Sequence, residues 1–537
     1  MTDISAEQLS YSDLAVTSML SIYTCFRSAL VFSPSDDMLL PLASRLLRLH
    51  FRPPSLNNSY GYILMVDILD SLFATVCMII FNLVHALHAI IDPDPADLGT
   101  RSALLQEYME EFRPRQLEVK QLKKKFLKAL QENNAEEVLQ ILHCGKLDID
   151  TVLEVDDPNM VLASYKQGYW LPGYKLEKSW AMGIHVCVMY NAVETAMVLL
   201  QNGAALNQMP NGKTPLHVAC EVSNSDCVAL LLAYGAKVNS LSLSGHTPLH
   251  YCITRESVEC AKQLILKGAT VNTAGHNYEE DTPLHTAARF GVPELVPLFL
   301  AHGASVNALN ALRETPLMTA AFWSFDSKEQ VYSQDHHFVC RLLLDHKADP
   351  NLKEEDNKTA LHKAAWNCDH VLMQMLLEAG ADARAMDING CAPIQYVLKV
   401  TGVRPMAILE VCYQLLLNFN AARIYPSQFH KVLQSCYDYP RVVEILVNSY
   451  EHVKPTRKWT AAIPDDCYEV VSTKRHKDFY DSLFAVCTNT PRSLLHLTRC
   501  AIRASLRGFC HRGVDQLPLP SAMKKYLLLE PEGILYG

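Results

Sequence analysis

Five short segments recur along the middle of the chain at a nearly constant spacing. They are Thr214-Pro-Leu-His217, Thr247-Pro-Leu-His250, Thr282-Pro-Leu-His285, Thr315-Pro-Leu-Met318 and Thr359-Ala-Leu-His362, and they begin 33, 35, 33 and 44 residues apart. A repeat of this length indicates a stack of helical units, each of which buries its apolar face against the next. In each copy the threonine favours a helix N-cap, the proline the first helical position and the leucine the core, while the histidine can hydrogen-bond within the turn.

A second set of positions supports the same unit. Most copies contain a glycine suited to the left-handed conformation that ends a helix, and an asparagine follows it. The glycines are Gly203, Gly235, Gly268, Gly303 and Gly380, and the asparagines are Asn207, Asn239, Asn272, Asn307 and Asn351. Together these features are the signature of ankyrin repeats. The sequence therefore predicts an all-α ankyrin-repeat solenoid over residues 119–422, with about six or seven repeats.

The ends and the middle of the stack depart from this pattern. Met182 to Asn207 and the stretch that begins at Ala392 are weaker copies. Leu122 to Leu142 is predicted to form a helical cap that hides the first apolar face. The spacing of 44 residues implies an insertion around Ser324 to His336, and its polar composition predicts an exposed loop.

The last fifty residues carry a different pattern, an amphipathic helix predicted over Pro491 to Arg507. Thr490 is the expected N-cap and Pro491 the first helical residue. One face carries Leu494, Leu497, Thr498, Ala501 and Ile502, and Arg499, Arg503 and Arg507 project elsewhere. The sequence therefore predicts an apolar face and a solvated basic face.

A proline-rich segment follows this helix. In Leu517-Pro518-Leu519-Pro520 the two prolines favour an extended chain. Ser521 is then the expected cap of a short helical stretch that presents Met523, Tyr526 and Leu527. A stiff apolar segment loses little entropy when it is bound, which favours a docking role.

These two tail segments, in this order, resemble a SOCS box over residues 491–537. The resemblance implies that Leu494, Leu497, Thr498 and Ile502 bind elongin B/C. It also implies that Leu517, Pro518, Leu519, Pro520 and Tyr526 bind cullin-5. Thr498 stands where the family pattern has Cys, and a buried hydroxyl needs a hydrogen-bond partner, so this departure bears on elongin affinity.

Ankyrin repeats followed by such a tail resemble the ankyrin repeat and SOCS box family. The segments 161–170, 364–371 and 526–533 resemble it as well. The resemblance implies a non-catalytic substrate receptor, whose stack holds an unknown target protein while the tail recruits the ligase. Residues 1–118 are an extension of unknown role, and residues 423–490 are predicted to be packed helices that bridge stack and tail.

Two other functions remain open, an ankyrin scaffold without a ligase role and a membrane-tethered ankyrin protein. The tethered form rests on Ser71 to Ile91, which are 21 residues without Asp, Glu, Lys or Arg. A more polar stripe that includes Asn82, His85 and His88 favours a helix packed on protein instead. An enzyme has the least support, because the common hydrolase, phosphate-binding and dinucleotide-binding motifs are missing from the sequence.

Composition narrows the remaining classes. The formal charge is -9, and the basic window from Lys474 to Arg512 is explained by the solvated helix face, so we expect no nucleic-acid partner. Seventeen cysteines without a C-x-x-C pair favour reduced, buried thiols and a cytoplasmic protein. The first residues do not resemble a cleaved signal peptide. The nearest approach to a metal site, His336-His337-x-x-Cys340, is interpreted as surface plus core, so neither a metal nor a cofactor is expected.

One asparagine has a further resemblance. Ankyrin hairpins as a class are substrates of an asparaginyl hydroxylase that favours Leu eight residues and an acid two residues before the target. Of the five hairpin asparagines only Asn351 has both, Leu343 and Asp349, although Pro350 replaces the usual Val. The resemblance implies 3-hydroxylation of Asn351.

Overall fold

The computed structural model describes the repeat region, the bridging segment and the tail. The residues described are 117–157, 161–162, 178–275, 280–403, 408–422, 424–463, 474–488, 492–506, 509–532 and 535. The chain divides into two units, 1–94 and 95–537, and every described residue belongs to the second. The predicted membrane candidate at 71–91 therefore lies outside the described residues.

Inner and outer helices alternate along the stack, as the repeat pattern predicts. A helix over residues 117–131 and the helix Ala135–His143 come first, as the predicted cap. The pairs that follow are Gly183–Met189 with Val193–Gln201, Pro215–Glu221 with Ser225–Ala233, the 3-10 turn Pro248–Tyr251 with Val258–Leu266, Pro283–Phe290 with Leu295–Ala301, Pro316–Trp323 with Gln334–Asp345, Ala360–Asn367 with His370–Glu378, and Pro393–Val400 with Leu409–Asn418. The all-α prediction is confirmed, and the described residues also contain two short antiparallel strand pairs that the sequence did not predict.

One strand pair joins the cap to the stack, and the other lies in the predicted insertion. Val152–Asp156 pairs with Lys178–Met182, and Phe325–Asp326 pairs with Val331–Tyr332. The insertion is therefore not a simple exposed loop. Phe325 is buried, and the Tyr332 hydroxyl donates to the carbonyl oxygens of Asn367 and Cys368 at 3.0 and 3.1 Å. Tyr332 therefore anchors the hairpin to the next repeat.

The repeated histidines join neighbouring repeats. In the Thr214 copy the Thr214 N–H donates to His217 Nδ1 at 3.1 Å, so the neutral ring carries its hydrogen on Nε2 and donates to the His246 carbonyl at 3.0 Å. The equivalent Nε2 contacts are His185 to Lys213 O, His250 to Asp281 O, His285 to Glu314 O and His362 to Cys391 O, at 2.9 to 3.2 Å. The structural interpretation of these residues is confirmed, because each ring joins its own repeat to the next.

Acidification is expected to destabilise the stack through these histidines. Burial lowers the pKa of His185 and His362 to about 4 and that of His217 and His250 to about 3, from 6.5. The unfolded chain then binds more protons than the folded one between these values, so stability falls as pH falls through that window. Between pH 7.5 and pH 5, each of these histidines should therefore lower the free energy of unfolding by about 2 kcal/mol. Urea unfolding midpoints measured across this range test the prediction.

The chain itself provides the matched control for this titration. Gln395 occupies the histidine position of the last repeat, where its Oε1 accepts from the Ala392 N–H at 2.8 Å without titrating. His217→Gln should therefore flatten the dependence of the midpoint on pH by one histidine. A midpoint that is independent of pH between 7.5 and 5 in the unsubstituted protein would contradict the assignment.

After the stack, the described part of the predicted bridging segment contains four α-helices and the 3-10 turn Pro426–Gln428. The α-helices are Phe429–Cys436, Pro440–Asn448, Arg457–Thr460 and Lys474–Thr488. The prediction of packed helices agrees with the burial of their apolar residues, which include Phe429, Val432, Leu433, Val442, Val443, Leu446 and Val447. The tail then forms the helices Leu494–Ser505, Cys510–Gln516 and Ser521–Leu527.

Candidate protein-docking surface

The first tail helix begins later than the sequence predicts. It spans Leu494–Ser505, and Ser493 is its N-cap, with a side-chain oxygen that accepts from the His496 N–H at 3.3 Å. Residues 492 and 493 precede the helix. Thr490, Pro491 and Arg507 lie outside the described residues. The helix still holds all four residues that the sequence assigned to elongin binding.

The side of this helix that was predicted to be basic and solvated is turned toward the rest of the protein. Arg499 is only 4% exposed, whereas Leu494 is 81% exposed. Arg503 is half-buried. The prediction of a solvated basic face was wrong, because Arg499 packs between His496 and the Tyr526 ring, and Arg503 donates to Leu417, Asn418 and Leu527.

Two arginines and one histidine form the contact beneath the helix. Arg492 and Arg499 each donate from Nη2 to His496 Nδ1, at 2.9 and 2.8 Å. His496 Nε2 donates to the Tyr450 carbonyl at 2.9 Å, and Arg492 also donates to Asn448 Oδ1 at 2.8 Å. These bonds fasten the start of the tail helix to the end of the helix Pro440–Asn448.

The same contact requires a neutral imidazole. Burial, followed by the charges of Arg492 and Arg499, lowers the pKa of His496 to about 4. Burial also lowers the pKa of both guanidinium groups. The Arg499 guanidinium lies 4.2 Å from the centre of the Tyr526 ring, where the face of the ring attracts it.

The outer face of the helix is apolar and open to solvent. Leu494, Leu495 and Leu497 are 81%, 55% and 43% exposed, and Thr498 and Ala501 are exposed too. The Thr498 hydroxyl donates to the Leu494 carbonyl at 2.7 Å, so its hydrogen-bonding need is met within the helix. The cost of burying this hydroxyl against a partner is therefore smaller than the sequence suggests.

Ile502 differs from the other predicted elongin contacts. It is half-buried and packs against an internal cluster of Cys510, Val514 and Leu527. Leu495, by contrast, is exposed beside Leu494 and does not belong to the family pattern. The position of Leu495 next to Leu494, at the start of an amphipathic helix, is the sequence feature that indicates its exposure.

The proline-rich segment presents its prolines rather than its leucines. Pro518 and Pro520 are exposed, whereas Leu517 and Leu519 are half-buried against the Cys510 cluster. Ser521 is the first residue of the helix Ser521–Leu527 and not its cap, which is Pro520. Met523 remains exposed, Tyr526 is half-buried under Arg499, and Leu527 is buried, so the predicted presentation of Leu527 was wrong.

Asn351 lies in a hairpin of the stack and bridges to the next hairpin. Its Nδ2 donates to the Gly380 carbonyl at 3.0 Å, and its Oδ1 accepts from the Asp382 N–H at 2.7 Å. Asn239 and Asn272 make the equivalent pair of bonds, each to the hairpin of the repeat that follows it. These bonds therefore do not distinguish Asn351 from Asn239 and Asn272, whereas its flanking residues do.

The segment that comes nearest to a metal-site pattern, His336-His337-x-x-Cys340, is engaged in hydrogen bonds and packing. His337 is buried, with its Nε2 2.6 Å from Asp369 Oδ2, and Cys340 is buried. His336 bonds to the Arg289 carbonyl at 3.0 Å. Among the described residues no cluster of His, Cys, Asp and Glu is arranged to hold a metal ion. No helix in the described part of the chain is both long and apolar enough to cross a bilayer.

Known protein families match both the stack and the tail. Models of ankyrin repeats match residues 184–275, 279–311 and 328–377, and the SOCS box model matches residues 490–528. The Mus musculus protein "Ankyrin repeat and SOCS box protein 16" is 35% identical over 395 residues, which cover 74% of this chain and 83% of that protein. The chain belongs to the ankyrin repeat and SOCS box family.

Other members of the ankyrin repeat and SOCS box family are similar as well. The Homo sapiens protein 16 is 36% identical, over 70% of this chain and 80% of its own length. The Homo sapiens protein 18 is 37% identical, over 48% of this chain and 53% of its own length. Among solved structures, the human ASB11 ankyrin repeat domain matches 48% of this chain and 97% of its own, with 23% identity and a TM-score of 0.37.

Membership of this family supports the coarse function that the sequence predicts. A SOCS box with ankyrin repeats supports a substrate-recognition role in a SOCS-box ubiquitin ligase, and the family is one of adaptors. The segments 161–170, 364–371 and 526–533 resemble member 4 in particular, and that finer resemblance stays a prediction.

Proposed function

We propose that this family member is the substrate receptor of a ubiquitin ligase that contains elongin B/C and cullin-5. The observation that carries the proposal is the outward leucine face of the helix Leu494–Ser505, with its arginines turned inward. An exposed row of leucines on a helix that is already fixed to the protein favours a helix-in-groove interface. Because the helix is preformed, little entropy is lost when a partner covers it.

Each part of the tail has a distinct role in this proposal. Leu494, Leu497 and Thr498 contact elongin, and half-buried Ile502 completes that surface from below. Exposed Pro518 and Pro520 meet cullin-5, while Leu517, Leu519 and Tyr526 hold the segment in place. A few buried anchors usually dominate an interface, so Leu494 is the expected centre of the elongin contact.

The stack offers an aromatic surface for the target protein. Phe290, Phe322, Trp323 and Trp366 are all about half-exposed, at the ends of the inner helices of three consecutive repeats. The Phe322 and Trp323 rings are 5.5 Å apart, and Lys363 Nζ lies 5.5 Å from the centre of the Phe322 ring. Aromatic side chains are enriched in protein interfaces, so we place cargo binding on this surface.

The chain supplies geometry rather than a reacting group. The stack holds the target, the tail holds the ligase subunits, and transfer of ubiquitin to a target lysine is accelerated by proximity. Ubiquitination then marks the target for degradation by the proteasome. A cytoplasmic location fits the described cysteines, which are free thiols and mostly buried.

Reconstitution from purified components tests this function. The full chain should co-elute with elongin B/C and with cullin-5, and a chain that lacks residues 491–537 should co-elute with neither. A full chain that ignores both subunits at micromolar concentration would leave only the scaffold role. Affinity purification with mass spectrometry, on intact against tail-deleted protein, then identifies targets whose ubiquitination depends on the tail.

We also propose that an asparaginyl hydroxylase modifies Asn351. Leu343, eight residues before it, is fully buried, whereas Asn351 and Asp349 are exposed. An enzyme that recognises this leucine must bind the repeat after it has opened locally. Mass spectrometry of the 341–353 region should show one added oxygen when the hydroxylase is present, and more of it in a destabilised stack. An unmodified region under both conditions would remove the proposal.

A further inference from the structure

One guanidinium group fastens the tail to the last repeat. Arg503 lies on the inward side of the tail helix, and its Nη1 donates to Asn418 Oδ1 and to the Leu527 carbonyl, both at 2.6 Å. Its Nη2 donates to the Leu417 carbonyl at 3.1 Å. Leu417 and Asn418 end the last helix of the stack, Leu409–Asn418, and Leu527 ends the last tail helix.

The position of this cation is favourable for both helices. The last carbonyl groups of a helix lack intrahelical donors and carry partial negative charge. Arg503 donates to such carbonyls of two helices at once, which a planar guanidinium with several fixed N–H groups can do and a single ammonium does poorly. The residue therefore joins the stack, the first tail helix and the last tail helix at one point.

Neighbouring residues reinforce the same contact. Asn418 Nδ2 donates to the Leu528 carbonyl at 3.1 Å, and Gln414 Nε2 donates to the Leu529 carbonyl at 2.9 Å. The Phe419 and His511 rings stack with centroids 3.4 Å apart. Residues 414–419 thus receive three separate parts of the tail, and we call this contact the clamp.

The clamp determines where the leucine face points. Leu494 and Arg503 lie on one helix, so fixing Arg503 against the stack also fixes the direction of Leu494. A shift of the tail by a few ångströms relative to the stack becomes a larger displacement at the far end of the ligase assembly. Catalysis by proximity depends on the distance between the target lysine and the ubiquitin that is transferred to it.

We propose that Arg503 is a positioning residue that sets the angle between the cargo-holding stack and the ligase subunits. This inference rests on the proposed function of the tail. It assigns Arg503 no contact with elongin or cullin. Its loss should therefore leave recruitment intact and change which lysines receive ubiquitin.

The test uses the full chain with bio-orthogonal fluorophores at Leu266, exposed on the stack, and Lys525, exposed on the tail. In Arg503→Ala the distance distribution between them should broaden, while elongin B/C affinity stays within about twofold, since no predicted anchor is removed. In the reconstituted ligase, the set of the chain's own lysines that carry ubiquitin should widen. Asn418→Ala, which removes the stack side of the clamp, should act in the same direction.

Two variants calibrate these measurements. Arg503→Lys should give an intermediate width, because its ammonium reaches fewer acceptors, and Arg512→Ala, at an exposed tail position, should match the unsubstituted protein. A distribution as narrow in Arg503→Ala as in the unsubstituted chain overturns the proposal. So does a loss of elongin binding in Arg503→Ala, because Arg503 would then serve only the folding of the tail. If the unsubstituted chain fails to bind elongin, the proposed function is contradicted. The distance distribution between the two fluorophores in the chain without its partners still tests the role of the clamp.

Discussion

Leu494→Ser is expected to abolish co-purification of elongin B/C and to weaken binding by about a hundredfold or more. The leucine is 81% exposed, so its side chain contributes little to the fold and is available to a partner. Truncating a central apolar anchor typically removes 2 kcal/mol or more of binding free energy, roughly thirtyfold, and the polar hydroxyl adds a desolvation cost. Titration of elongin B/C into the purified variant, followed by calorimetry, measures the change.

The stack contains a control that matches this substitution closely. Leu266 is also 81% exposed, on the outer helix Val258–Leu266, so Leu266→Ser makes the same chemical change at the same exposure. It should leave elongin affinity unchanged, and both variants should unfold at the same urea concentration as the unsubstituted chain. Equal elongin affinity in the Leu494 and Leu266 variants would contradict the assignment of the leucine face.

The repeats could be predicted from the sequence because their determinants are local. The N-cap at Thr214, the first-turn Pro215 and the left-handed Gly235, at φ 87°, lie within one repeat and recur in the next. Because several copies recur about 33 residues apart, the repeat can be recognised even where a single copy deviates from the pattern. One exception is the Thr247 copy, where Pro248–Tyr251 forms a 3-10 turn instead of an α-helix.

The orientation of the tail helix could not be predicted in the same way. Helical periodicity separates Leu494 from Arg499, but it does not say which face meets the rest of the protein. The deciding acceptors, the Tyr450 carbonyl and the Asn418 side chain, lie 46 and 85 residues from their partners His496 and Arg503. Long charged side chains usually stay in water, and here that general preference gave the wrong face.

The insertion shows the same limit. Its composition is polar, and most of its turn is indeed exposed. Phe325 is nevertheless buried, and the Tyr332 hydroxyl attaches the hairpin to the following repeat through its hydrogen bonds to the Asn367 and Cys368 carbonyls. Contacts between segments that are far apart in sequence leave no periodic signal, so they are found only in the folded structure.

Arg499→Ala is expected to destabilise the tail by about 3 kcal/mol, because it removes a cation over an aromatic ring and a hydrogen bond to a buried histidine. Arg499 is 4% exposed, with its Nη2 2.8 Å from His496 Nδ1 and its guanidinium carbon 4.2 Å from the centre of the Tyr526 ring. Hydrogen exchange of the backbone amides of Leu494–Ser505 measures this local stability. A loss of this size corresponds to exchange faster by about a hundredfold.

Arg512→Ala makes the same substitution at an exposed position of the tail, so comparing it with Arg499→Ala distinguishes a buried arginine from a solvated one. A solvated arginine contributes within about 0.5 kcal/mol, so exchange in this variant should stay close to that of the unsubstituted chain. Raising the salt concentration should leave the difference between the two variants unchanged, because a buried contact is screened far less than a surface one. If Arg499→Ala exchanges as slowly as Arg512→Ala, the arginine does not hold the helix, and the outward leucine face loses its physical explanation.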